Sequence, residues 1–241
     1  MMAKESAIEW TDATWNPWMG CTKVSAGCQN CYMFREQKRY GHDPTKIRRS
    51  KTTFRDPLKW KEPKHIFVCS WSDFFHEDVP PEWRRDAWEI MYHARGQGHT
   101  FLPLTKRPEN IASMLPIGWI EGMHEYWPHI WFGATVENQE SINRLSEFYN
   151  FPASRTFLSA EPLLGPLDLS EHMGFIDWVI VGGESGPNFR PMKEEWATDI
   201  RDQCIKASIP FFFKQWAGVN PKKDPRGMML DGKIWKERPP E

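Results

Sequence analysis

Six short apolar runs recur along the chain, and their form and spacing constrain the fold more than any other feature. They occupy residues 65–69, 100–104, 130–134, 156–158, 178–181 and 209–213. Each is continuous rather than alternating, as expected of a parallel strand covered on both faces. Their starts, at 66, 101, 130, 156, 178 and 210, lie 22 to 35 residues apart. That leaves room for the crossover helix that parallel neighbours require. Helical patterns fill several intervals. Trp83, Ala87, Ile90, Met91 and Ala94 share one face, bracketed by Pro80-Pro81 and Gly96. Residues 138–149 turn Ile142, Leu145 and Phe148 inward behind Asn138, a good N-cap, and residues 193–207 align Trp196, Ile200, Cys204 and Ala207. In this register Cys204 is a core residue, and Cys69, inside a strand, is another. The order predicts an α/β fold: a partial TIM-type (β/α) barrel of parallel strands, with one more strand before Cys21. An open doubly wound sheet is the alternative. At 241 residues the chain fits a single barrel-like domain over 1–217, followed by a loop-rich tail over 218–241.

Polar, chemically capable residues directly follow every run: Trp71-Ser72-Asp73, Lys106-Arg107, Glu137-Asn138, Ser159-Ala160-Glu161, Gly182-Gly183-Glu184 and Lys214-Gln215-Trp216. In parallel folds these carboxyl ends meet at one face, where ligands bind. One polar strand end is ordinary termination; six in succession predict a shared pocket. Lys106 and Arg107 suit a carboxylate or phosphate. Glu137 suits a ribose, while Asn138 suits a helix start. Glu161 precedes Pro162, which makes a capping role unsuitable and a ligand role preferable. Asp73 with His76 forms a candidate proton-transfer pair. Trp71, and Lys214 with Trp216, offer stacking surface and a cation. Glu184 binds a ligand or pairs with Arg190. There is no GxSxG, P-loop or HExxH pattern.

Charge adds a partner. The net charge of −1 excludes a wholly basic nucleic-acid coat and an acidic disordered chain. Residues 35–64, however, carry eleven Lys and Arg against four acids, a local +7 that leaves −8 for the remainder. Such asymmetry predicts a nucleic-acid or nucleotide partner; an ordinary solvated surface is the alternative. No apolar run is long enough to span a membrane. No apolar region follows Met1-Met2-Ala3-Lys4-Glu5-Ser6, so a cytoplasmic, reducing location is expected. The 14 tryptophans divide by address. Trp83, Trp88, Trp131, Trp178 and Trp196 fall in predicted elements, whereas Trp10, Trp15, Trp18, Trp71 and Trp216 are placed to wall a pocket.

Three of the five cysteines cluster as C-x6-C-x2-C, at Cys21, Cys28 and Cys31. Clustered thiols in a reducing compartment indicate a metal site. Structural zinc would need a fourth ligand, such as His42. An iron–sulfur cluster on three cysteines instead leaves one iron open to a ligand.

The stretch Thr14-Trp15-Asn16-Pro17-Trp18-Met19-Gly20-Cys21 leads into Cys28-Gln29-Asn30-Cys31-Tyr32. With Ser70-Trp71-Ser72-Asp73, Leu104-Thr105-Lys106-Arg107-Pro108, Gly133-Ala134-Thr135-Val136-Glu137-Asn138, Ser159-Ala160-Glu161-Pro162-Leu163 and Gly182-Gly183-Glu184-Ser185-Gly186, it resembles a phage-associated three-cysteine-motif family described as radical-SAM-like. The resemblance runs from about residue 8 to about residue 216. It implies a [4Fe–4S] cluster in the loop after the first strand, with S-adenosyl-L-methionine on the open iron. Reductive cleavage of that cofactor would yield a 5′-deoxyadenosyl radical that abstracts hydrogen from a substrate, fed by an electron donor or protein partner. Cofactor contacts are expected at Glu137, Ser159, Glu161, Gly182, Gly183, Glu184 and Lys214, and substrate contacts at Trp71, Asp73, Lys106, Arg107 and Trp216. The chain departs from the usual radical-SAM pattern in its x6 spacing, in Asn30 before the last cysteine, and in a Gly-Gly-Glu that follows a late strand. The alternative is a non-catalytic, zinc- or cluster-binding accessory or sensor protein that binds nucleic acid.

Overall fold

All six apolar runs form strands, and the expected additional strand precedes them. In the computed structural model, which describes residue 6 and residues 8–240, they are β1 (Ala13–Trp15), β2 (His65–Val68), β3 (Thr100–Thr105), β4 (Trp131–Thr135), β5 (Arg155–Ala160), β6 (Trp178–Gly182) and β7 (Phe211–Gln215). They pair in chain order, each neighbour parallel. A doubly wound sheet reverses its strand order at a switch point. This one never does, so the fold is a mixed α/β partial barrel and the open-sheet alternative is set aside.

The helices are α1 (Tyr32–Arg39), α2 (Pro81–Ala94), α3 (Ile111–Met114) and α4 (Glu194–Ala207). Most of the expected stripes are buried: Ala87, Ile90, Met91 and Ala94 on α2, Ile200 and Cys204 on α4; Trp83 and Trp196 are half-buried, and Ala207, at the end of α4, is exposed. The helical segment expected over 138–149 is a 3-10 helix, Gln139–Asn150, which buries Leu145 and Phe148.

Side chains alternate across each strand, and this divides the core in two. Ile66, Val68, Phe101, Phe132, Leu158, Val179 and Phe213 face the helices. Trp10, Phe67, Leu102, Trp131, Phe157, Trp178, Ile180 and Phe212 fill the barrel interior. Gly133 belongs to this interior packing, because a Cβ there would collide with the Phe157 ring. Followed two residues at a time toward the carboxyl ends, the inward rows turn polar: Leu104 to Lys106, Phe157 to Ser159 and Glu161, Phe212 to Lys214.

Residues 218–240 are not a detached tail. They form an antiparallel ribbon, Met229–Leu230 with Lys233–Ile234, and then return to the free edge of β7. Phe213 N–H donates to the Trp235 carbonyl at 2.9 Å, and Glu237 N–H to the Phe211 carbonyl at 3.2 Å. Beyond that edge Lys236 pairs with Glu9 at 2.7 Å, and Arg238 donates to the Glu9 carbonyl at 3.0 Å. The tail thus bridges β7 to the segment entering β1, and it covers a strand edge that would otherwise expose unpaired backbone groups. Among the described residues, no helix is long and apolar enough to cross a membrane.

Candidate functional site

A cavity of about 840 Å³ opens where the strand carboxyl ends meet. Its wall contains Cys21, Cys28 and Cys31, together with Trp71, Asp73, Lys106, Arg107, Ser159, Glu161, Gly183, Glu184 and Lys214. Most of the polar strand ends therefore do converge. Their roles, however, differ from those expected, because the cysteine loop crosses the mouth and three of the acids hold it there.

The first tie follows β2. Asp73 accepts from Thr105 Oγ1 at 2.7 Å and from Lys106 N–H at 3.1 Å, and lies 3.4 Å from Arg107 Nη1. Arg107, 2% exposed, extends to the loop. It donates to Thr22 Oγ1 at 2.6 Å, to the Thr22 carbonyl at 3.2 Å and to Cys21 Sγ at 3.6 Å, while Nε meets Glu77 at 2.9 Å. Asp73 and Arg107, the expected substrate contacts, line the cavity and also tie the loop to the strand ends. Asp73 does not pair with His76. His76 Nδ1 accepts from Asp78 N–H at 3.1 Å, leaving Nε2 beside Thr22 Oγ1 at 2.9 Å. Burial holds the His76 imidazole below its ordinary pKa, with Arg107 adding to the effect.

The second tie follows β4. Glu137 accepts from Ser25 Oγ at 2.5 Å and from Arg144 Nη1 at 2.6 Å. Gly27 passes so close that a Cβ would collide with the Glu137 side chain. Burial by itself would raise the Glu137 carboxyl, but Lys106, Arg144 and Ser25 outweigh it and hold it below the usual carboxylate value. Glu137 does not line the cavity. It positions the loop rather than a ligand.

The third tie follows β6. Glu184 accepts from Asn30 Nδ2 at 3.0 Å and Arg190 N–H at 2.8 Å, and pairs with the Arg190 guanidinium. Burial opposes ionisation here too, yet Arg190 and Asn30 keep the carboxyl below its ordinary value. Asn30, the departure from an aromatic before the last cysteine, is thus the residue that reaches Glu184. The paired glycines have a local reason: a Cβ on Gly183 would collide with the backbone of Ala217. Gly182 is absent from the cavity wall, its Cα packed toward the Glu161 carboxyl.

Three further strand ends contribute charge to the cavity wall. Lys106 follows β3, Ser159 and Glu161 follow from β5, and Lys214 lies on β7. Glu161 and Lys214 form an ion pair with both side chains about one-fifth exposed. Of the five tryptophans expected at the pocket, Trp10, Trp15 and Trp71 line it. Trp18 is fully buried and donates to the Asp73 carbonyl at 3.2 Å. Trp216 is also corrected: its indole packs on Phe213 in the helix-facing core and donates to the Met229 carbonyl at 3.0 Å. Trp60 and Tyr32, unassigned from sequence, do line the cavity. His42 is exposed and does not. Cys69 is buried as expected, but it follows β2 in a left-handed conformation (φ 68°) and is a fourth thiol in the cavity wall.

A family model matches residues 5–239 and is described as a protein of unknown function, DUF5131. The chain belongs to the DUF5131 family. That match takes in the cysteine loop, all seven strands and the ribbon of the tail. Among curated proteins and among solved structures, nothing matches the chain.

In this DUF5131 chain Cys21 and Cys31 are set against ionisation. Burial, with Asp73 nearby, pushes the Cys21 thiol up to about 12, and burial likewise raises Cys31. A buried thiolate becomes favourable when a cation binds it, so metal binding here would release protons. Three soft donors, on a loop tied at both ends, fit an iron–sulfur cluster in donor type and number. Among the described residues, no three His, Cys, Asp or Glu side chains are already drawn together as a metal-ion site. All three cysteines are among the residues that line the cavity.

Proposed function

We propose that the protein is an iron–sulfur enzyme of the radical-SAM type, with Cys21, Cys28 and Cys31 holding a [4Fe–4S] cluster. The observation that carries this reading is the position of the three thiols: one wall of the cavity at the carboxyl ends of a parallel partial barrel. When bound, the cluster and S-adenosyl-L-methionine supply the one-electron reductive cleavage of a carbon–sulfur bond. The protein's own residues do the rest. Lys106 and the Glu161–Lys214 pair present cations and a carboxylate to a ligand that carries both an amino and a carboxylate group. The aromatic floor of Trp10 and Phe67 keeps water from entering beneath it. Asp73 through Arg107, Glu137 through Ser25, and Glu184 through Asn30 fix the loop that bears the ligands.

Anaerobic purification, with iron and sulfide analysis and an absorption spectrum, tests the cluster. Changing Cys21, Cys28 or Cys31 to Ala should abolish it, while Cys204→Ala should leave it intact. Reduction in the presence of S-adenosyl-L-methionine should release 5′-deoxyadenosine. Colourless protein with one stoichiometric zinc would refute the reading. A zinc-bearing accessory protein is the second reading, and Cys69 favours it by placing a fourth sulfur in the cavity wall. Loss of metal on Cys69→Ala distinguishes it, since a three-cysteine cluster does not need that thiol.

A further inference from the structure

The basic segment 35–64 does not lie apart from the cavity. Thr53, Asp56 and Trp60 are part of its wall. The Tyr40 ring lies against that of Trp71, another wall residue, with centroids 6.1 Å apart and planes inclined by 28°. Tyr40 is itself 60% exposed, so its outer face is open to a second planar group. In the sequence, cations neighbour each of these residues: Lys38 near Tyr40, Lys51 and Arg55 on either side of Thr53, and Lys61 after Trp60. All four are exposed. Among the described residues none of them is within ion-pair distance of a carboxylate, whereas Arg35, Arg39, Arg49 and Lys59 in the same segment are paired with Glu36, Asp86 or Asp56. Unpaired like charges around one opening repel each other and are relieved by a polyanion. The rest of the chain is net negative.

We infer that the rim binds a single-stranded nucleic acid. Phosphates lie along Lys38, Lys51, Arg55 and Lys61, and an unpaired base stacks on Tyr40 beside Trp71, which brings the strand to the cavity mouth. Cations that track a backbone, combined with an exposed ring, are how unpaired strands are held without sequence readout. The cavity is of small-molecule size, so it admits one extruded nucleoside and no duplex. As an account of binding this stands on the rim alone; as an account of substrate it rests on the cluster reading above.

Fluorescence anisotropy with a labelled oligothymidylate, over a range of salt concentrations, tests it, with a duplex of the same length as competitor. Four neutralised phosphates predict a log–log salt slope of about −3. K38Q/K51Q/R55Q/K61Q should remove most of that slope. Y40A should weaken binding about tenfold or more and leave the slope unchanged. All five side chains are exposed, so thermal melts of both variants should match that of the parent. Absence of binding at low salt, equal competition by the duplex, or parent-like binding by the quadruple variant would each overturn the inference. Iron analysis of the same preparation separates the two claims. Strand binding by iron-free protein overturns the cluster and supports the rim; iron-loaded protein that ignores the strand does the reverse.

Discussion

Arg107→Met isolates the clamp between the strand ends and the cysteine loop. The guanidinium is nearly fully buried and contacts Thr22, Cys21, Asp73 and Glu77. These contacts do not weigh equally. The Glu77 carboxylate is 55% exposed, so that ion pair contributes at most about 1 kcal/mol. Asp73 is buried, and removing its charged partner leaves a desolvated carboxylate, at about 3–5 kcal/mol for a full loss. Its bonds from Thr105 and the Lys106 N–H survive the substitution, which favours the lower end. The Thr22 carbonyl and hydroxyl lose their charged donor, adding about 1 kcal/mol. A total loss of about 4–5 kcal/mol is expected in urea unfolding at unchanged m. A double-mutant cycle with Thr22→Val should return a coupling of about 1–2 kcal/mol. Arg107→Lys should not rescue, because an ammonium cannot span Thr22, Asp73 and Glu77 together. A loss below about 1 kcal/mol, or a coupling near zero, would refute the assignment of Arg107 to the loop.

Three further outcomes follow from the same geometry. Gly27→Ala drives a methyl into Glu137, so stability should fall by about 1–3 kcal/mol and iron loading should fall with it, as read by thermal melts and metal analysis. Glu137 is held below its unfolded value, so its stabilisation is complete above about pH 4.3 and is lost as pH falls through the folded value. Glu137→Gln should therefore lower stability at neutral pH and flatten the acid limb of a stability-against-pH curve; an unchanged acid limb would remove Glu137 as an anchor. Trp216→Ala should destabilise by about 3–5 kcal/mol as a buried aromatic while leaving oligonucleotide binding by the folded protein unaltered. Selective loss of binding would return Trp216 to the cavity.

The strand sequence was legible because continuous apolar runs at crossover spacing have few parallel solutions, and all six appear in the sheet. Residues 218–240 read as loop because a two-residue ribbon and one returning strand edge carry no periodicity; only contact with Phe211 and Phe213 gives them order. The site was legible in its membership and not in its roles. Asp73, Glu137 and Glu184 have the same local signature as Glu161, a carboxylate just past a strand. Ser25 and Asn30 carry no signal of their own, since their partners lie 112 and 154 residues away.

Local sequence thus determined the elements, their order and the polarity of the strand ends, because burial and period-two alternation act over a few residues. Which polar ends are tied to the cysteine loop was decided by the path of residues 20–31 beside them. Where that loop meets a strand end, as at Asp73, Glu137 and Glu184, the carboxylate is consumed in holding it. Where the loop leaves the cavity wall free, as at Lys106 and the Glu161–Lys214 ion pair, the charged groups still line the cavity. The difference is one of solvent access and partner distance, and both exist only after the chain has closed on itself.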